Sequence, residues 1–164
     1  MKGNSKHSAE TLLTLGVFSV FAILAVLLTL MGARAYRGIA GRMEENNALR
    51  SSLSYVANKV RAGDIAGGVS LEERGGMQVL CLSETSGGTT FETLLFFADG
   101  WLREYAAVGG RGDALLPTDG EQVTALADFA MEADGDTLLL TAEAEGGGRM
   151  TMRVAVRTEG GLRS

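Results

Sequence analysis

The chain of 164 residues has one cysteine, Cys81, one histidine, His7, one proline and one tryptophan. With so few soft ligands it cannot assemble a zinc cluster, an iron–sulfur site, an intrachain disulfide or a Cys/His nucleophilic pair. Lys and Arg number 15 against 20 Asp and Glu, without a basic block, so the clustered positive charge that nucleic-acid affinity requires is missing. Glycines number 23, yet none of them stands in the strand–loop–helix order of a phosphate site. The length is room for one domain. These absences predict a non-catalytic protein, not an enzyme, with no cofactor, no metal, no directly bound nucleic acid and no evident small-molecule substrate.

What the chain does have is a long apolar block. Thr11 to Ala33 carries no charge, is dominated by Leu, Val, Phe, Ile and Ala, and is bracketed by Glu10 and Arg34. As a helix it reaches ~34 Å at ~1.5 Å per residue, enough for a hydrocarbon core of ~30 Å. A cleaved signal has a shorter apolar core and a small-residue cleavage site, which Met31-Gly32-Ala33-Arg34-Ala35 matches poorly. A retained transmembrane helix in membrane lipid is therefore the expectation. Gly16, Ser19, Ala22, Ala25 and Gly32 are the small residues by which another membrane helix could approach it.

Cations flank the block on both sides, Lys2 and Lys6 before it and Arg34, Arg37 and Arg42 after it, so charge alone does not orient it. A short leader commonly stays cytoplasmic while the longer part crosses, which predicts a single-pass protein of the cell membrane with an extracytoplasmic C-terminal domain.

The stretch after the membrane is rich in Ala, Arg, Glu, Leu and Met and contains no proline, so helix continues. Gly38 and Gly41 weaken its first half. In its second half Leu49, Leu53, Val56 and Val60 recur at helical spacing and form a stripe that must be buried; Gly63-Asp64 is a stop. Too few heptads are clean for a coiled coil, so the stripe is expected to pack on the C-terminal part of its own chain.

That C-terminal part is acidic. From Arg34 onward 13 Lys and Arg face 19 Asp and Glu. Short runs of Leu, Val, Phe and Thr are punctuated by Gly75-Gly76, Gly87-Gly88, Asp99-Gly100 and Asp134-Gly135, the grammar of antiparallel hairpins. Strands are predicted over 69–72, 77–84, 90–98, 101–108 and 122–132. A last hairpin spans 137–157; folding it about Gly147 sets Glu145 opposite Arg149, Thr141 opposite Arg153, Ala142 opposite Met152 and Leu140 opposite Val154. The fold class is α+β, a long N-terminal helix packed on an antiparallel β-sheet. Its parts are a polar tail over 1–10, a transmembrane helix over 11–33, an amphipathic helix over 34–62, a sheet domain over 63–158 and a C-terminal tail over 159–164.

Smaller features read as structural. Cys81 lies in an apolar strand and reads as core, and Trp101 and Tyr105 beside a hairpin turn read as packing on the sheet. Asp128, Asp134 and Asp136 lack the spacing of a calcium loop and read as a turn. Arg111-Gly112-Asp113 is the integrin-type tripeptide and reads as a chance occurrence of a short motif.

The order of a polar leader, a Glu just before a long apolar helix, an amphipathic extension and an antiparallel sheet resembles type IV pilins and pseudopilins. Ala48-Leu49-Arg50-Ser51-Ser52-Leu53-Ser54-Tyr55-Val56-Ala57-Asn58-Lys59-Val60-Arg61 resembles the end of their long helix. The chain is also similar throughout to an uncharacterised family of single-pass, pilin-like Gram-positive proteins, notably in Leu95-Phe96-Phe97-Ala98-Asp99-Gly100-Trp101-Leu102. The resemblance implies a component of a surface pilus, secretion or DNA-uptake apparatus, trimmed by a prepilin peptidase and assembled with like subunits through the apolar helix. It gives Glu10 the task of pairing with a neighbour's N-terminus; read from the residues alone, Glu10 is a polar boundary residue near a helix start. The alternative function is a stand-alone, membrane-anchored extracytoplasmic module that binds a ligand through its loops.

Overall fold

A computed structural model describes residues 4–64, 68–108 and 114–157. The chain divides into two compact units, Met1–Met43 and Glu44–Ser164. The architecture is α+β, and the described residues form one α-helix, α1 (Asn4–Gly63), and eight strands. Helix α1 begins at Asn4, inside the segment expected to be a polar tail, and it ends at the Gly63 stop. The Arg111-Gly112-Asp113 tripeptide, residues 1–3 and the tail over 159–164 lie outside the described residues.

In the second unit the strands are β1 (Val69–Arg74), β2 (Met77–Ser86), β3 (Thr89–Ala98), β4 (Trp101–Val108), β5 (Glu121–Ala125), β6 (Asp128–Asp134), β7 (Thr137–Glu143) and β8 (Arg149–Ala155). They form two antiparallel sheets instead of the single one expected: a five-stranded sheet in the order β1-β2-β3-β4-β5 and a three-stranded sheet in the order β6-β7-β8. The strand predicted over 122–132 is where the two separate. Leu126 and Phe129 are both buried, and their odd spacing breaks the two-residue period of one strand. At the break Leu126 N donates to Gly100 O (3.0 Å) in the first sheet, and Ala127 N donates to Glu143 O (2.8 Å) in the second.

Both sheets bury their inner faces on the C-terminal part of α1. Leu49, Leu53, Val56, Ala57 and Val60 join one core with Leu71, Leu80, Leu82, Leu95 and Leu102 of the first sheet and Phe129, Met131, Leu138, Leu140 and Val154 of the second. Ser52 is fully buried in this helix, and its hydroxyl is satisfied by Leu49 O at 2.9 Å. The outer face of the five-stranded sheet holds a second cluster of Val79, Cys81, Leu94, Phe96 and Ala98, covered by Leu115. Central strands β2 and β3 therefore each carry an unbroken apolar run, Val79 to Leu82 and Leu94 to Ala98, where both of their faces are covered.

Turn chemistry sets the registers. Ala98 pairs with Trp101, leaving Asp99 (φ 52°) and Gly100 (φ 77°) as a two-residue turn with both centres left-handed. The last hairpin corrects its predicted register by two residues: Leu140 faces Met152, Ala142 faces Met150 and Glu143 faces Arg149. The loop is the cause. Gly147 N donates to Ala144 O (2.9 Å) and Ala144 N donates to Gly148 O (2.8 Å), with Gly147 at φ 81°. This is a three-residue loop closing on a left-handed glycine, centred on Gly146. The even shift moves every partner yet keeps every side chain on its predicted face.

Because Leu53 is enclosed on all sides, Leu53→Ala will lower the stability of the β domain by about 2–5 kcal/mol. Guanidinium unfolding of the full chain in detergent, followed by Trp101 fluorescence, measures it. Leu24→Ala, at a position 52% exposed, will leave the midpoint unchanged; equal losses from the two would contradict this assignment of the core.

Candidate functional site

In the first unit the helix presents apolar side chains with nothing over them: Leu12 is 69% exposed, Phe18 71% and Phe21 69%. Three of its hydroxyls bond back to the helix backbone. Thr14 Oγ1 donates to Glu10 O (2.9 Å), Ser19 Oγ to Leu15 O (2.8 Å) and Thr29 Oγ1 to Ala25 O (2.8 Å). That arrangement satisfies these three hydroxyl hydrogens without water. The helix is long and apolar enough to cross a membrane, which is compatible with a single-pass anchor; a signal sequence passes the same test. Glu10 lies exposed at the start of this surface, and a Cβ built on Gly16 or Gly32 meets nothing within 4 Å.

In the second unit the predicted packing residues Leu49, Leu53, Val56 and Val60 are at most 1% exposed. Beside them lies a polar seam that sequence reasoning missed. Tyr55 Oη donates to Glu104 Oε2, and Lys59 Nζ donates to Glu104 Oε1 at 2.7 Å. The same ammonium sits 5.4 Å from the Tyr55 ring centroid. Tyr55 and Lys59 are one turn apart on the helix and so share a face, but their partner lies on β4, and nothing local in the sequence points to it. The Lys59 pKa is raised, chiefly by its hydrogen bond to Glu104; that of Tyr55 is raised by burial and then by Glu104.

On the other face of the five-stranded sheet Arg74 joins three strands. Its Nη1 and Nη2 reach the two carboxylate oxygens of Glu92 at 3.1 and 3.3 Å, and its Nε reaches Glu72 Oε2 at 3.0 Å. Glu72 also accepts from Ser70 Oγ. That bond, followed by Arg74, lowers the Glu72 pKa. Cys81 lies 3.7 Å from Arg74 Nη2 but is 3% exposed, and burial pushes its thiol up to about 11. A thiol held that high is not a nucleophile at neutral pH. Arg103, also buried, donates through Nη1 to Thr118 O (3.3 Å) and Asp119 O (3.4 Å), tying the 114–120 loop to β4.

Among the described residues no group of three His, Cys, Asp or Glu side chains could hold a metal ion. Asp128 turns its Oδ1 to its neighbour's amide, Phe129 N, at 2.9 Å. Tyr105 packs against the second apolar cluster and Trp101 is half-buried. Among the described residues, the apolar surface of the first unit and the solvent-facing strands of the second are exposed.

Fold and surfaces together define an α+β protein with one long apolar N-terminal helix. Residues 47–145 match the family model described as a domain of unknown function (DUF4860), more than half of the chain, and the chain belongs to that family. No curated protein and no solved structure matches it.

The site chemistry generates two testable outcomes. Tyr55 and Lys59 both bind their protons more tightly when folded, from ordinary values of 10.0 and 10.5, so their contribution is complete below those values and fades as pH rises through the folded ones. The melting temperature will fall more steeply above about pH 10 than that of a Tyr55→Phe/Lys59→Met variant; parallel pH curves would exclude the linkage. Cys81 will resist iodoacetamide at about pH 8 in the folded chain and react on unfolding. Native alkylation at a free-thiol rate would refute its burial.

Proposed function

We propose that the chain is a non-catalytic, membrane-anchored, pilin-like component, of the minor pilin or pseudopilin kind, in a surface pilus, secretion or DNA-uptake apparatus. The observation that carries this reading is the contrast along α1: apolar side chains from Leu12 to Met31 stand exposed, whereas Leu49 to Val60 are buried in a β domain. In a retained, single-pass protein the first surface is lipid-facing and available to like helices through Gly16, Ser19, Ala22 and Ala25. The acidic C-terminal domain then stands outside the cell membrane. Glu10, at the head of that surface, is the residue assigned to pair with a neighbouring chain's N-terminus. The burial of Cys81 and the engagement of Lys59 by Glu104 support the non-catalytic part of the reading.

Intact mass and N-terminal sequencing of the protein from its native membrane, with crosslinking of the same sample, test this. A chain shortened to begin near Lys6 and a crosslinked ladder are the expected results. Glu10→Ala will deplete the ladder while leaving the β domain folded, as followed by Trp101 fluorescence. A full-length, uncrosslinked chain indifferent to Glu10→Ala would favour a stand-alone anchored binding module instead.

A further inference from the structure

Among the described residues, strand β8 forms one edge of the three-stranded sheet and pairs only with β7. Its backbone bonds show which groups face outward. Ala144 N donates to Gly148 O and Val156 N donates to Asp136 O, both at 2.8 Å. Antiparallel bonding alternates, so the even-numbered residues of β8 bond to β7, and Arg149, Thr151, Arg153 and Ala155 aim their N–H and C=O groups away from the sheet. The next outward amide, Arg157 N, is taken by both carboxylate oxygens of Asp64 at 2.9 and 3.0 Å. Among the described residues nothing takes the four before it. All four are exposed.

The side chains of the same residues give this edge its charge. Arg149, Arg153 and Arg157 recur every fourth residue on the solvent face, all exposed, and no ion pair engages them among the described residues. Beyond the helix, the other described arginines are Arg74, bound to Glu72 and Glu92, and the buried Arg103. Outside the helix, the exposed described cations of an acidic domain thus lie along one edge strand and the residues just past it. Two copies joined β8 to β8 would bring the three guanidiniums of each into one patch, and like charges across a strand pair repel. A phosphate surface would use the guanidiniums but leave the outward carbonyls unpaired.

From this juxtaposition we propose that β8 is a docking edge for an extended segment of a partner protein bearing carboxylates four residues apart. The segment adds as a fourth strand next to β8. Its backbone pairs with Arg149, Thr151, Arg153 and Ala155, and its carboxylates lie across from the guanidiniums. Asp64 closes one end of the edge. The proposal stands on the β domain alone and holds whether or not the chain assembles through its apolar helix.

The test uses the full chain in detergent and a capped peptide of alternating valine and threonine carrying two glutamates four residues apart, with a lysine-for-glutamate peptide as control. Hydrogen exchange resolved by residue is the readout. The expected result is protection by the glutamate peptide at the amides of Arg149, Thr151, Arg153 and Ala155, with about fivefold to tenfold weaker binding of the lysine peptide. Thr151→Pro removes an outward N–H that the β7 ladder does not use, and it will weaken binding about tenfold. Arg149→Glu/Arg153→Glu, which changes only exposed side chains, will reverse the peptide preference; it decides the matter if the proline variant misfolds. Three results would overturn the proposal: no protection of these amides at millimolar peptide, meaning the arginines only guard the edge; protection that rises with protein concentration without peptide, meaning a second copy is the occupant; or binding to anionic vesicles that the glutamate peptide does not compete.

Discussion

Burial of one helical stripe organises the β domain. Leu49, Leu53, Val56 and Val60 lie at spacings of four, three and four residues, so they form a single ridge. Sheets on two sides share that ridge. Each such side chain removed from water contributes about 1.5–3 kcal/mol, and neither sheet offers the other a substitute. The inner residues Ala142 and Ala144 of the three-stranded sheet are small, which leaves room for a helix to lie close. The fold therefore needs the helix as its third layer, and the sequence preceding the strands is part of the same cooperative unit.

Polar contacts then choose among the ways of packing that an apolar ridge alone would permit. The Tyr55–Glu104–Lys59 seam ties one helical face to β4, and Gln78 Oε1 accepts from Met131 N at 3.3 Å to tie the second sheet to the first. Asp64, just past the helix, holds the strand end at Arg157. Half-exposed ion pairs add little net stability; what these contacts supply is register, because each has one geometry that satisfies it. The Arg74 fork does the same on the outer face, where it joins β1 to β3 across β2.

Local grammar made much of this legible. The helix stop at Gly63, the Asp99-Gly100 turn and the faces of the last hairpin rest on near neighbours, and glycine pairs or alternation reveal them directly. Two features differ from the expectation. The register at Gly146 is set by a hydrogen-bonded loop, which a symmetric fold about Gly147 does not anticipate. The division into two sheets turns on Leu126 and Ala127, each bonded to a different sheet, and no run of five residues announces that. The seam partners Tyr55 and Glu104 are 49 residues apart, beyond any periodicity. For the assembly candidate Glu10, the sequence supplied the position and the resemblance supplied the role.

The side chains of α1 sort into two patterns along its length. Over Leu12 to Met31 the apolar residues are on every side, the pattern of a helix whose surroundings are themselves apolar, and Thr14, Ser19 and Thr29 turn their hydroxyls back onto the backbone. Over Leu49 to Val60 the apolar residues keep to one stripe, while Arg50, Ser51, Ser54 and Asn58 face water. A helix amphipathic throughout would fit the β domain but not apolar surroundings. The change of pattern thus divides α1 into a segment suited to apolar surroundings, compatible with a single-pass anchor, and a segment whose buried stripe completes the β domain.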